Sequence, residues 1–409
     1  MTNLERLVQK LCPDGVEYRT LSELFQTRNG YTPSKANKEF WENGTVPWFR
    51  MEDIRENGRI LASATQMVSR NAVKGDLFPA NSIIVATSAT IGEHALITVP
   101  SLANQRFTYL VLKTEYQHLF DIKFLYYYCF KLDQYCKECL NQGNFASVDM
   151  KKFAKFRFPV PPLPVQSEIV KILDNFTELT AELTAELTAE LTARNAQYEY
   201  YREQVLSLHS VPHYTLEQLC DIVDYRGKTP KKVSDGIFLV TAKNIRKGYI
   251  DYTKSQEYIS PADYESVMHR GYPQIGDILV TTEAPCGNVA QVDREDIALA
   301  QRVIKYRPKS NSLNSSYLKH ILLGNEFQKK LLIAATGGTV KGIKGSLLHK
   351  LTIPVPPLET QQRIVTTLDR FDALCNDLTS GLPAEIAARQ KQYEYYRDKL
   401  LTFRPLSQP

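Results

Sequence analysis

The chain has 409 residues, enough for two or three domains with cores of their own. Hydrophobic residues make up 43% and charged residues 23%, which excludes a disordered chain. A net charge of +5 excludes a polycationic tail, so any nucleic-acid surface must come from local segregation of charge. No apolar leader opens the chain, no stretch reaches the roughly 18 apolar residues of a membrane span, and seven scattered cysteines fit a reducing compartment. The expectation is a cytoplasmic protein with no membrane partner.

Residues 1–17 predict a short amphipathic helix carrying Leu4, Leu7, Val8 and Leu11, ended by Pro13-Asp14-Gly15. Residues 18–157 alternate short apolar runs with turn signals. Ile83-Ile84-Val85-Ala86 and Phe107–Leu112 predict buried strands, and Phe120–Leu140 predicts a helix. Pro161-Pro162 then leads stiffly into one long helix from about Pro164 to about Leu208, a rod on the order of 65 Å. Its centre, from Thr180, reads Thr-Ala-Glu-Leu three times, with no Gly or Pro to interrupt it. A short link, His209–His213, leads to residues 209–352. There Gly276–Val280 and Arg302–Tyr306 predict strands and Ser316–Ala334 a helix. Residues 353–403 predict a second rod, and 404–409 a tail.

The chain is a duplicate. Phe158-Pro-Val-Pro-Pro-Leu163 recurs as Ile353-Pro-Val-Pro-Pro-Leu358, a shift of 195 positions (353 − 158). The same shift carries Gln166 to Gln361, Leu173-Asp174 to Leu368-Asp369 and Phe176 to Phe371. It also carries Gln197-Tyr-Glu-Tyr-Tyr-Arg202 to Gln392-Tyr-Glu-Tyr-Tyr-Arg397, and Thr20-Leu21 to Thr215-Leu216. Leu179, Leu183, Leu187 and Leu191 fall on Leu374, Leu378, Leu382 and Ile386. The expected fold is therefore α+β: two similar modules (18–157 and 209–352) separated by two long antiparallel helices (158–208 and 353–403). These helices form a coiled coil within a pseudo-twofold internal duplication.

Leucines four apart drift by about 40° each, so the apolar stripe winds around the rod and a partner of equal spacing can follow it. Ser380-Gly381 and Pro383 should kink or interrupt the second rod. Glu178, Glu182, Glu186 and Glu190 are like charges at helical spacing, which costs a few tenths of a kcal/mol per pair. The face is either solvated or a docking surface for basic partners. With it, Tyr198, Tyr200, Tyr201, Tyr393, Tyr395 and Tyr396 are the candidate partner-binding residues.

Bases gather in the modules instead. In the first they are Lys35, Lys38, Arg50, Arg55, Arg59, Arg70, Lys74 and Arg106, interleaved with Tyr31, Phe40, Trp41 and Trp48. In the second they are Arg226, Lys228, Lys231, Lys232, Lys243, Arg246 and Lys247. Lys and Arg neutralise phosphates, while Arg, Asn and Gln read base edges. Gln105-Arg106 matches Gln301-Arg302, and Thr32-Pro33 matches Thr229-Pro230. With Ser34, Asn244 and the loop lysines Lys341 and Lys344, these are the candidate DNA-binding residues; scattered surface bases are the alternative.

Catalytic patterns are missing. The Gly337–Lys344 loop lacks phosphate-loop order, and no zincin or nucleophile-elbow motif occurs. Cys136 and Cys139 have no second pair at zinc spacing, so no metal ligands are expected. Val160-Pro-Pro-Leu163 lacks the polar and aromatic residues of an adenine methyltransferase loop, which argues against a fused methyltransferase.

Gly30-Tyr-Thr-Pro-Ser34, Val46-Pro-Trp48, Asp53-Ile54, Gly227-Lys-Thr-Pro230, Asn244-Ile245 and Gly276-Asp277-Ile278 resemble target recognition domains. With the Pro-Val-Pro-Pro-Leu motifs and the rods, nearly the whole chain resembles the DNA specificity subunit of type I restriction-modification systems. The Thr-Ala-Glu-Leu repeats are similar to the type IC subclass. The resemblance implies that each recognition domain reads one half of a bipartite, asymmetric site on double-stranded DNA, and that the helices set the gap. It implies no catalysis by this chain. Two modification subunits would carry S-adenosylmethionine and methylate adenine N6, and two restriction subunits would add ATP- and Mg2+-dependent translocation and cleavage. The competing expectation is a coiled-coil assembly scaffold whose modules bind protein.

Overall fold

The computed structural model describes residues 2–141, 146–208, 210–225, 230–337, 341–376 and 381–406. The chain forms two compact units. One comprises Met1–Thr184 with Ala388–Pro409, the other Ala185–Ala387. Both mix helices and sheets, and the long helix Leu163–Leu206 lies between the two modules in the chain.

In the first unit, strands Phe25–Asn29, Phe107–Leu112, Ser82–Ala86, His94–Ile97 and Ile60–Leu61 make one sheet in that order. Neighbours are antiparallel except Ile60–Leu61, which lies parallel to His94–Ile97. One face buries Ile83, Val85 and Leu110 with the helix Ile122–Glu138. The other buries Ile84, Tyr109 and Phe107 with a three-stranded sheet, Met67–Val68, Val46–Phe49 and Leu102–Ala103. The alternation of sides along Ile83-Ile84-Val85 is the two-residue period of a strand buried on both faces.

The second unit repeats the plan. Cys220–Asp224, Val303–Pro308, Ile278–Thr281 and Val289–Gln291 form one sheet. Lys232–Val233, Tyr258–Ile259, Ile237–Val240 and Ile297–Leu299 form the other. Each module closes at its base with a two-stranded ladder, Glu17–Thr20 on Arg157–Val160 and His213–Thr215 on Thr352–Pro354. After each ladder strand comes a capping box: Thr20 N donates to Glu23 at 2.6 Å, and Thr215 N to Gln218 at 2.9 Å.

One buried glutamine fastens each rod to its module. Gln166 is fully buried; Nε2 donates to Leu119 O and Pro161 O, both at 2.7 Å, and Oε1 accepts from Asp121 N at 2.9 Å. Gln361 does the same with Ser312 O at 2.8 Å, Pro356 O at 2.9 Å and Asn314 N at 2.8 Å. A second tie sits two turns on. Asp174 accepts from Tyr127 Oη and Lys123 Nζ, both at 2.7 Å, and Asp369 accepts from His320 Nε2 at 2.7 Å. Burial holds the His320 imidazole below its ordinary pKa, against the opposing pull of Asp369, so the neutral ring is the donor.

The rods pair antiparallel inside each unit. In the first, Phe176 meets Tyr396 edge-on at 6.2 Å, and the hydroxyls of Thr177 and Tyr393 lie 2.9 Å apart. In the second, Phe371 stacks on Tyr201 at 5.7 Å and on Tyr198 at 6.1 Å. The second rod is two helices, Leu358–Asn376 and Leu382–Leu400, with Pro383 in the first turn of the latter, where a missing N–H costs nothing. Leu378 and Ser380 lie outside the described residues.

Two expectations change. The helix expected over Ser316–Ala334 is two, Ser315–Leu323 and Asn325–Ala334, divided at Gly324, whose ψ of 146° is extended. The N-caps Asp121 and Asn314 are 193 apart (314 − 121), whereas Val148 and Ile343 beyond the helices are 195 apart (343 − 148), so the second module carries two extra residues across this span. Within the stretch read as a tail, Arg404 and Leu406 bond to the N-terminal segment. Leu401 is fully buried, Val16 N donates to Arg404 O at 2.9 Å, and Leu406 N donates to Val16 O at 3.0 Å. Gly15 permits this approach, since a Cβ there would stand 2.5 Å from Arg404 O.

Candidate nucleic-acid interface

In the first module a hollow of about 780 Å³ is lined by Thr32, Lys35, Lys38, Trp41, Glu42, Trp48, Arg50, Glu52, Gln66, Asn104, Gln105 and Arg106. Three segments converge on it. The first is the 30–42 loop. Gly30 brings it in, because any Cβ there would stand 2.4 Å from Ala103 O and Asn104 O. Tyr31 N then donates to Ala103 O at 2.8 Å.

The second segment is the end of strand Val46–Phe49. Trp48 is 6% exposed and its Nε1 donates to Tyr31 O at 2.9 Å. Trp41 meets it edge-on at 5.0 Å and donates to Ser34 O at 3.0 Å. The indoles therefore hold the loop as a wall, with Arg50 projecting 5.9 Å from the Trp48 ring and 3.9 Å from Glu52. The third segment is the turn at 104–106. Asn104 N donates to Phe49 O at 3.0 Å, Arg106 N to Asn104 Oδ1 at 3.0 Å, and Thr87 N to Arg106 O at 2.9 Å. Gln105 and Arg106 project outward, and Thr32 Oγ1 donates to Gln105 Oε1.

The second module has a smaller hollow of about 410 Å³, lined by Thr282, Glu283, Gln301, Arg302, Thr336, Gly342, Ile343 and Lys344. Its turn is hung the same way: Ala300 N donates to Val240 O, and Thr282 N to Arg302 O, both at 2.9 Å. Arg302 has φ +76° and stands 3.5 Å from Glu283.

The expected residues divide. Thr32, Lys35, Lys38, Trp48, Arg50, Gln105 and Arg106 come together in the first hollow, and Gln301, Arg302 and Lys344 in the second. Lys341 is exposed beside Gly342. Ser34 is exposed on the 30–42 loop. Tyr31 is spent on structure, its hydroxyl accepting from Lys74 N at 2.6 Å and donating to Ala72 O at 3.3 Å. Arg55 and Arg70 are exposed but do not line the hollow. Lys231, Lys243 and Lys247 are exposed, Lys232 pairs with Glu257 at 2.8 Å, and Arg246 pairs with Asp251 at 3.7 Å. Arg226, Lys228 and Thr229 lie outside the described residues.

Three residues are reassigned. Asn244 is fully buried. Its Oδ1 accepts from Thr241 N and Oγ1, at 2.9 and 2.8 Å, and its Nδ2 donates to Asp251 O and Lys254 O, leaving nothing for a base edge. Buried Asp53 does the same work in the first module, accepting from Arg50 N and Thr65 N at 2.7 Å each. Arg59 turns inward, donating to His94 O at 3.1 Å and lying 3.4 Å from Asp133. Tyr198 is a core residue, 5% exposed. Tyr200, Tyr201, Tyr395 and Tyr396 remain 42–63% exposed on the rods, with Tyr393 half-buried. Glu178, Glu182, Glu186 and Glu190 are exposed, and Glu190 stands 3.5 Å from Arg194.

Sequence reasoning missed Gln66, Asn104, Glu42, Glu52 and Glu283. Asn104 directly precedes the duplicated Gln-Arg pair, which was a usable signal; the others had none. Cys136 sits in the core, and burial, with Asp133 nearby, pushes its thiol up to about 12. Among the described residues no group of His, Cys, Asp or Glu could hold a metal, and no helix is long and apolar enough to cross a membrane.

A profile for the type I restriction modification DNA specificity domain matches residues 13–193 and again 213–388. The type I restriction enzyme EcoprrI specificity subunit of Escherichia coli is 44% identical over 394 residues, 93% of each chain. The EcoR124I/EcoR124II specificity subunit of Escherichia coli is 35% identical over 311 residues, 69% of this chain and 71% of the other. A solved chain described under "complex assembly and conformational transition of the type I R-M system" superposes with a TM-score of 0.65 at 18% identity, covering 95% of this chain and 98% of that one. The HsdS subunit from Thermoanaerobacter tengcongensis superposes with a TM-score of 0.51 at 17% identity, covering 96% of each. At these identities the two solved structures bear on the fold alone.

Proposed function

The chain belongs to the type I restriction-modification DNA specificity family, and from that premise we propose how its two modules divide the reading of DNA. Each module reads one half of a bipartite target on double-stranded DNA through its hollow. The rods set the gap between the halves and dock the modification subunits. The observation that carries this reading is that both modules present a Gln-Arg turn on the same backbone frame, in hollows that also hold Lys35 and Lys38 or Lys344. Lysines position phosphates, and Arg and Gln address base edges.

The chain supplies recognition and no bond-breaking step. S-adenosylmethionine, ATP and Mg2+ belong to its partners: two modification subunits, which methylate adenine N6, and two restriction subunits, which translocate and cleave. The exposed tyrosines on the rods are the docking points, and the Thr-Ala-Glu-Leu repeats support a reading of the chain as type IC. A cytoplasmic location follows from that role.

The test is methylome mapping of cells expressing the chain with its modification subunit. The expected result is one asymmetric two-part sequence with a fixed gap. Methylation with no sequence preference would refute the proposal. Partner binding that is insensitive to salt, with no DNA retained at low salt, would instead support the assembly-scaffold reading.

A further inference from the structure

Building on that reading, we infer that the two Gln-Arg turns read base edges rather than phosphates, each fixing the identity of the bases it faces in its own half-site. Each turn is suspended by its backbone between two sheets. Its first residue is held by Asn104 N donating to Phe49 O at 3.0 Å, or Ala300 N to Val240 O at 2.9 Å. At its last residue Thr87 or Thr282 donates through its backbone N, at 2.9 Å in both modules. The threonine hydroxyls reach the same carbonyls, at 3.5 Å and 3.2 Å. Each threonine in turn accepts from a later loop, Val148 N at 2.9 Å and Ile343 N at 3.0 Å.

A phosphate contact does not need this rigidity. A lysine on a flexible loop serves, because the charge acts without strict geometry. Base reading needs side chains launched from a fixed backbone, since a bidentate pair fails when misplaced by about an ångström. The frame is kept in both modules although their surroundings differ, an indole wall in the first and Thr336 with Gly342, Ile343 and Lys344 in the second.

Charge points the same way. Glu283 stands 3.5 Å from Arg302, and its carboxylate would repel a phosphate brought to that guanidinium. A G·C pair suits the two together, with Arg donating to guanine and Glu accepting from the cytosine amino group. The first module has Ser88 where the shift of 195 places Glu283 (283 − 195). The Arg106 guanidinium makes no ion pair among the described residues, so the two turns are set to read differently.

The test uses the chain assembled with its modification subunit, on a library with randomised target positions, with the salt dependence of binding measured in parallel. Arg106→Ala should relax one position in one half-site, and Arg302→Ala one position in the other. Each should lose roughly 5- to 140-fold of discrimination there. Arg106→Lys keeps the charge but not the fork, and should relax the same position. As a phosphate comparison, Lys35→Ala should weaken all sequences alike and reduce the salt slope by about one. Uniform weakening with a reduced slope for Arg106→Ala, or full discrimination in Arg106→Lys, would overturn the inference. If the unaltered chain itself shows no two-part preference, the proposed function fails. If it shows one and the arginine variants leave it unchanged, only this inference fails.

Discussion

Replacing Gln166 by Leu keeps the side-chain bulk and removes three hydrogen bonds, at 2.7, 2.7 and 2.9 Å, from a fully buried position. The bond to Pro161 O is buried, so that carbonyl would be left without a partner. Leu119 O and Asp121 N are bonded in part-buried surroundings and can recruit water in part. An unsatisfied buried group costs about 1–3 kcal/mol and a replaceable bond about 0.5–1.5 kcal/mol, so the expected loss is about 3 kcal/mol. Because two units unfold in one chain, a single global transition is the wrong readout. Hydrogen exchange measured by mass spectrometry resolves them. Amides in Ile122–Glu138 should exchange roughly 100-fold faster, with the second unit unchanged. Gln361→Leu should produce the mirrored result in Ser315–Leu323, since its bonds are the same in kind, at 2.8, 2.8 and 2.9 Å. A loss below about 1 kcal/mol, or one that appears in the wrong unit, would refute the claim that this glutamine fastens rod to module.

Further outcomes are expected. His320 faces Asp369, Lys319 and Asp372, and burial holds its pKa below the ordinary 6.5. The unfolded chain therefore binds a proton that the folded chain refuses, so the second unit should lose stability as pH falls from 7 towards about 5. Asp369, also held low, contributes stability that is lost only below that window. His320→Tyr installs the Tyr127 solution of the first unit and should flatten the dependence; an unchanged slope in exchange rates between these pH values would count against it. Gly30→Ala should push the 30–42 loop off the Gln-Arg turn, given the 2.4 Å approach to two carbonyls. The half-site read by the first module alone should lose definition in a methylome map, and an unaffected map would show that the approach is not needed. Deleting one Thr-Ala-Glu-Leu unit shortens the rod by about 6 Å and rotates the helix beyond the deletion by about 40°. One DNA base pair is about 3.4 Å, with about 10.5 pairs per turn. The rotation matches one base pair, about 34°, while the rise would match nearly two; the target gap should change by about one base pair with both half-sites unchanged, and an unchanged gap would contradict the ruler role.

The hollows were only half legible beforehand. The pairing of Gln105-Arg106 with Gln301-Arg302 was visible because duplication exposes it. Which bases point out was not. Arg50 and Arg59 have the same chemistry nine positions apart (59 − 50), yet one lines a hollow and the other lies 5.1 Å from the Phe130 ring. Asn244 looked like a base reader because amides read adenine, but its turn consumes every donor and acceptor it has.

What the sequence determined by itself is what local spacing and repetition encode. It carries the two-copy plan, the helix through the Thr-Ala-Glu-Leu repeats, the break near Pro383 and the strands at Ser82–Ala86 and Phe107–Leu112. These come from propensity and period, which act over a few residues. The tertiary structure alone decided which distant groups meet. It set Thr32 against Gln105, Glu283 beside Arg302, Gln166 under the N-cap of a helix 45 residues earlier, and the 401–406 segment against Val16. Those pairings depend on how two sheets and a rod close around a shared core, and no local pattern carries that information.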